Sequence, residues 1–341
     1  MASPPALKIA LKRGALLAAA NWPLVLVQFV AEGTLKLLLA VPIVGGVFLV
    51  VLVLGADAEE LLRGSVTEIV TGVFALLLAN PAALAAFVAS ALIVLLAASA
   101  LTFVVKGGTV TVLAEAEAVA GPIERPPLRL AALQRANLTA IDRFLDGCGR
   151  LWRRYVALGA CLLAVYAITA TAYLAFILGG YSMVGNSGVL LGWGVAAFVA
   201  SSALIVWITL VNLFYLLTQM AIALDDTSVR GGVARVVEFL RGSLREVAGV
   251  FGVVLVLVIV ATIASILATA GLGLIAFVPL AGLAVVPLQI AAWLLRGVVF
   301  QYLALTALGA YLTHYRLFIR DRAAAAAGGT SPADFQGKRL A

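Results

Sequence analysis

The chain has 341 residues, 64% of them hydrophobic and only 11% charged. A water-soluble domain carries about a quarter of its residues as charges, so this composition excludes a soluble fold and points to an integral membrane protein. The net charge of +7 is spread beside apolar runs, which argues against nucleic acid as a partner.

Charge-free runs show how many spans to expect. Asp, Glu, Lys, Arg and His are absent from the 70 residues Tyr155 to Leu224, the 49 from Val247 to Leu295 and the 37 from Ile69 to Val105. A span needs roughly 20 apolar residues, so these runs hold several spans or spans plus surface segments.

The N-terminus, MASPPALKIALKRG, does not read as a cleavable signal, because no short apolar core is closed by a small-residue cleavage site. Residues 5–22 read as a short basic amphipathic helix, with Lys8 and Lys12 on one face and Leu7 and Leu11 on another. Asn21-Trp22-Pro23 marks the way into the membrane, since Trp anchors at the interface and Pro suits a helix start. The first span falls within 23–54. Glu32 and Lys36 interrupt it at a spacing of four, where they can pair on one helix face, and Pro42 with Gly45-Gly46 offers a kink point. A polar loop (55–68) and a short apolar surface helix (69–79) follow. Span two is 82–105, with small residues Ala82, Ala86 and Ser90 as a close-packing face.

Residues 106–154 are the largest polar segment. The helix of span two continues to about Val119, the chain turns at GPIERPP (121–127), and a helix runs from Leu128 to about Leu138. A second basic amphipathic helix then starts, with Thr139 and Asp142 resembling a capping box. Ile141, Phe144, Leu145, Cys148, Leu151, Trp152 and Tyr155 line one face. Span three is about 155–178, a turn occupies 179–188, and span four is about 189–222. The third amphipathic helix begins near Val233: Val236, Val237, Leu240, Leu244 and Val247 share a face with it, and Arg235, Glu238, Arg241 and Arg245 oppose them. Such a helix lies flat on a membrane and then turns into it. Span five is about 247–270, and Gly271, Gly273, Pro279, Gly282 and Pro287 break the stretch after it. Span six is about 288–313, and 323–341 reads as a low-complexity, disordered tail. Cys148 and Cys161 read as small packing residues.

The expected architecture is an all-α polytopic bundle of about six transmembrane helices. It forms a single membrane domain over 1–322, in three helical-hairpin units at about 5–105, 139–222 and 233–314, with a cytoplasmic segment at 106–138. A basic amphipathic surface helix precedes each hairpin, and the units align weakly on Gly14, Gly147 and Gly242. Of the 23 Lys and Arg residues, six spans place 20 on one side, so by the positive-inside bias both termini are cytoplasmic.

Arg296 is the sharpest single residue, because an unpaired arginine at mid-membrane costs about 3 kcal/mol on insertion scales. Glu32, with Lys36 nearby, is its candidate partner. His314 reads as interfacial. Arg143, Arg150, Arg153, Arg154, Arg235, Arg241 and Arg245 form a surface for anionic lipid headgroups. GLGLIA at 271–276 follows a span rather than a strand and reads as a helix break, not a dinucleotide loop. No metal-ligand spacing, phosphate loop or nucleophile motif is found, so no cofactor or catalytic residue is expected.

Four pieces resemble a known group: LKRGALLAAANWP, the segment from Gly107-Gly108 to Arg125-Pro126-Pro127-Leu128, FLRGSLREVAGVF, and ALGAYLTHYRLFIR. Together they are similar to the broad family of six-span bacterial membrane proteins that includes the membrane domain fused to some glycerophosphodiester phosphodiesterases. The resemblance covers about residues 5–322 and implies a bacterial inner-membrane location. Only 19 residues follow Arg322, so the fused catalytic domain is not expected here and the resemblance implies no activity. The expected role is a non-enzymatic accessory, scaffold or assembly subunit, partnered by membrane lipids and by other membrane subunits or further copies of itself. The alternative is a transporter or lipid-handling protein with an intramembrane polar site at Arg296.

Overall fold

The computed structural model describes residues 7–53, 78–127, 129–184, 190–276 and 281–328. The expected loop at 55–68, most of the helix at 69–79, the later part of the turn at 179–188, Pro279 and the last residues of the tail lie outside them. Among the described residues there are eight helices and no strand. They are α1 (Leu7–Ala20), α2 (Trp22–Val53), α3 (Pro81–Val119), α4 (Leu130–Ala136), α5 (Ile141–Val184), α6 (Leu190–Asp225), α7 (Val229–Ala276) and α8 (Ala281–Gly328). Six of these, all but α1 and α4, are long and apolar enough to cross a membrane, as the charge-free runs imply. The chain is a multi-pass membrane protein.

Helix ends show where sequence punctuation governs and where it yields. α3 ends at Val119 and is followed by Gly121 at φ +60°, a left-handed conformation that glycine adopts without the Cβ penalty. Four of the five expected breaks are absent. Gly282 and Pro287 lie inside α8, and α7 continues through Gly271 and Gly273 to Ala276. α8 also runs through the alanine-rich 323–328, in keeping with alanine being the strongest helix former.

The chain divides into two compact units, 27–105 and 1–26 together with 106–341. The first expected hairpin unit is therefore split, because α1 packs with the later chain. In the smaller unit, Asn80 Oδ1 accepts from the Ala83 N–H at 3.4 Å, capping the start of α3. Glu32 and Lys36 pair across one turn of α2 at 2.8 Å.

In the larger unit α1 lies along α8, α8 against α7, α7 against α6, and α6 against α5. The closest approaches occur at glycines. A Cβ on Gly309 would sit 2.9 Å from Gly14 Cα, and one on Gly147 would sit 3.1 Å from Gly108 Cα. Only glycine lets two helix backbones meet so closely. Two of the three aligned glycines, Gly14 and Gly147, are thus helix-crossing points; Gly242 has only Phe318 near it, at 3.9 Å.

The three passages from amphipathic helix to span differ. The first breaks at Asn21, between α1 and α2. Asn21 is fully buried. Its Nδ2 donates to Leu17 O (3.0 Å) and Ala136 O (2.9 Å), and its Oδ1 accepts from Leu138 N (3.0 Å) and Thr139 Oγ1 (3.1 Å). Every hydrogen-bonding site of the amide is used, and Trp22 beside it is exposed. The third passage kinks at Ser243 (φ −135°, ψ 31°), which shifts the facing, so Leu244 is exposed while Val236, Phe239 and Val247 are buried. The second has no turn, because α5 is a single helix of 44 residues. Its expected apolar face divides: Cys148, Leu151 and Tyr155 are buried, whereas Ile141, Leu145 and Trp152 are exposed.

Candidate functional site

The last turns of α3 raise an electrostatic problem. A helix C-terminus carries unpaired carbonyls and partial negative charge, yet Glu117 sits there with its side chain only 7% exposed. Two arginines from distant helices answer both demands. Arg13 of α1 places Nη2 3.2 Å from Glu117 Oε1, and also donates to the Glu117 backbone O at 3.1 Å. Its Nη1 reaches Glu124 Oε2 at 2.9 Å and donates to Gly121 O. Arg316 of α8 places Nε 2.6 Å from Glu117 Oε2; the N–H is not aimed at the oxygen, so this is a charge contact rather than a hydrogen bond. Arg316 Nη2 donates to Ala114 O at 2.6 Å. The two guanidiniums therefore neutralise one buried carboxylate and cap the carbonyls of α3. Lys12 Nζ adds a hydrogen bond to Glu124 O at 2.8 Å.

This network forms one wall of a cleft of about 430 Å³. Arg125 and Arg320 complete its charged lining, and Ile9, Pro122 and Leu317 contribute apolar surface. Both arginines are exposed.

A second polar cluster ties the ends of α5 to α8. Tyr315 Oη donates to Asp225 Oδ2 at 2.7 Å, and Arg235 Nε lies 3.9 Å from that oxygen. Arg154 pairs with Asp226, Arg235 with Glu238 at 3.4 Å, and Arg322 with Glu238 at 3.3 Å. Beneath it the rings of Phe239, Tyr315 and Phe318 pack with centroids 5.2 to 5.9 Å apart.

Of the seven arginines expected to face lipid, Arg154 and Arg235 are thus engaged in ion pairs. Arg143, Arg150, Arg153, Arg241 and Arg245 are exposed, with Arg153 5.4 Å from the centre of the Trp152 ring. Glu32 and Lys36 pair with each other, as their spacing implies. Arg296 is exposed on α8 with its guanidinium 5.6 Å from the centre of the Phe300 ring. His314 is buried, and its Nε2 has no hydrogen-bond partner among the described residues. Cys148 is buried and Cys161 exposed, both as free thiols.

Sequence reasoning passed over Arg13, Glu117, Glu124, Arg125, Arg316 and Arg320. The signal for the core of this group was present. Arg13, Glu117 and Arg316 each lack an opposite charge three or four residues away, although each sits on a helix where such pairing is the local option. Charges left without a local partner at apolar helix ends are the ones to test for distant partners.

Among the described residues no group of three or more His, Cys, Asp or Glu side chains is placed to hold a metal ion. No protein-family model, curated protein or solved structure matches the chain.

Proposed function

We propose that the chain is an accessory or assembly subunit of a membrane complex, without chemistry of its own, its basic end on the cytoplasmic side of a bacterial inner membrane. One observation carries this reading. The basic ends of the helices are packed and ion-paired, yet no residue in the most apolar stretch of α5 or of α6 is buried within the chain. Ile168 and Phe198, on these two helices, are 71% and 73% exposed. In a bilayer such surfaces gain nothing from water exclusion but can pack against other helices. Spans that find few contacts at home are suited to contacts with other membrane subunits or with further copies.

Placing a photo-crosslinking residue at Ile168 or Phe198 in the native membrane tests this. A discrete adduct of protein mass is expected. Crosslinks to lipid alone at both positions would overturn the reading. The alternative of transport rests on repeated units, on breaks near Pro279 and Pro287 and on Arg296; Pro287 lies within α8 and Arg296 is exposed, while Pro279 lies outside the described residues.

A further inference from the structure

We propose that the cleft between α1, the end of α3 and the basic end of α8 binds a phosphate ester. The inference stands apart from the assembly role and needs no protein partner. It starts from charge. Four arginines and two glutamates line the cleft. Both carboxylates are already committed, Glu117 to Arg13 and Arg316, and Glu124 to Arg13. Arg125 and Arg320 make no ion pair among the described residues, so the cleft holds two cations in excess at its mouth.

The kind of cation narrows the ligand. Planar guanidinium forks match the tetrahedral oxygens of a phosphate better than ammonium groups do. One of them is held in place beforehand: Arg316 is fixed by Ala114 O and by Glu117. A preset donor binds without the ordering cost of a free side chain.

Size and lining narrow it further. About 430 Å³ lies within the range of small-ligand sites and far exceeds a bare ion. Ile9 and Leu317 supply apolar surface beside the arginines, which suits the organic part of an ester. The ester has two sources at this place, a lipid headgroup reaching in from the bilayer surface or a soluble phosphate monoester. The chemistry recognised is the same in both.

The test uses the full-length chain in phosphatidylcholine nanodiscs, titrated with phosphatidic acid or with glycerol 3-phosphate and read by native mass spectrometry of the single chain. Binding of at least one probe is expected. R125A/R320A should weaken it about tenfold, the usual scale for losing charge-assisted hydrogen bonds. R135A/R230A removes the same charge from exposed positions on α4 and α7 that do not line the cleft and should change binding less than about twofold. If R125A/R320A fails to fold, the single variants R125A and R320A are read instead, each expected to weaken binding about threefold. A response to glycerol 3-phosphate identifies a soluble ester, and a response to phosphatidic acid alone identifies a headgroup; either upholds the cleft. Equal loss in the two double variants, or no binding of either probe by the unaltered chain, would overturn it.

Discussion

The basic end of the larger unit and the middle of its α5–α6 hairpin are held together in different ways. At the basic end, glycine crossings, a fully satisfied buried amide and a carboxylate shared by two arginines enclose the structure. Along the hairpin the polar contacts are single hydrogen bonds between side chains, Tyr166 Oη to Asn212 Oδ1 at 2.6 Å, Tyr173 Oη with Ser201 Oγ at 2.7 Å and Trp207 Nε1 to Thr169 Oγ1 at 3.2 Å, with the Phe176 and Trp193 rings 5.0 Å apart near its far end. The difference follows from solvent. Water drives burial where the helices emerge, whereas hydrocarbon provides no such drive and asks only that polar groups be paired. Stability should therefore concentrate at one end.

The sharpest way to break this contrast is Glu117→Leu. It leaves Arg13 and Arg316 facing each other without their shared carboxylate, and breaking a buried pair by removing one partner costs about 3–5 kcal/mol. Denaturant unfolding in detergent should show that loss. Gly14→Leu comes next, because its side chain must displace the α8 backbone; overpacking of this kind costs about 1–3 kcal/mol. It should release α1, seen as faster proteolysis of residues 7–20. Asn21→Leu keeps the volume but strips partners from Ala136 O and Leu138 N, for about 1–3 kcal/mol in the same unfolding assay. Smallest is Tyr166→Phe in the hairpin, at about 0.6 kcal/mol, the mean for interhelical hydrogen bonds in membranes. If Tyr166→Phe proved as costly as Glu117→Leu, the hairpin would be as much a structural centre as the basic end.

Local physics was readable from the residues alone. The six spans, the end of α3 near Val119, the turn at 121–127 and the short α4 all follow from hydropathy and punctuation. So does the ion pair of Glu32 with Lys36, which needs only four residues of helix. What escaped was long-range. Asn21 was read as a membrane boundary, but its purpose in the fold is set by Ala136, 115 residues away. Arg13 looked like topology-setting charge until Glu117, 104 residues away, came beside it. The α5 apolar face divides between burial and exposure, since hydrophobic periodicity cannot say which part of a stripe meets protein. Pro287 shows the opposite failure, a strong local signal for a break inside a helix that continues through it.

The unbroken α5 has a mechanical corollary. Its 44 residues extend about 66 Å at 1.5 Å per residue, roughly twice the hydrocarbon thickness of a bilayer. No hinge separates the apolar part from the segment that carries Arg143 and Arg150. The helix is a lever: tilting it by about ten degrees around its far end carries Ile141 through about 11 Å. Any tilt of this span is thereby carried to the arginines at the other end, whereas the two parts of α7 are separated by the kink at Ser243.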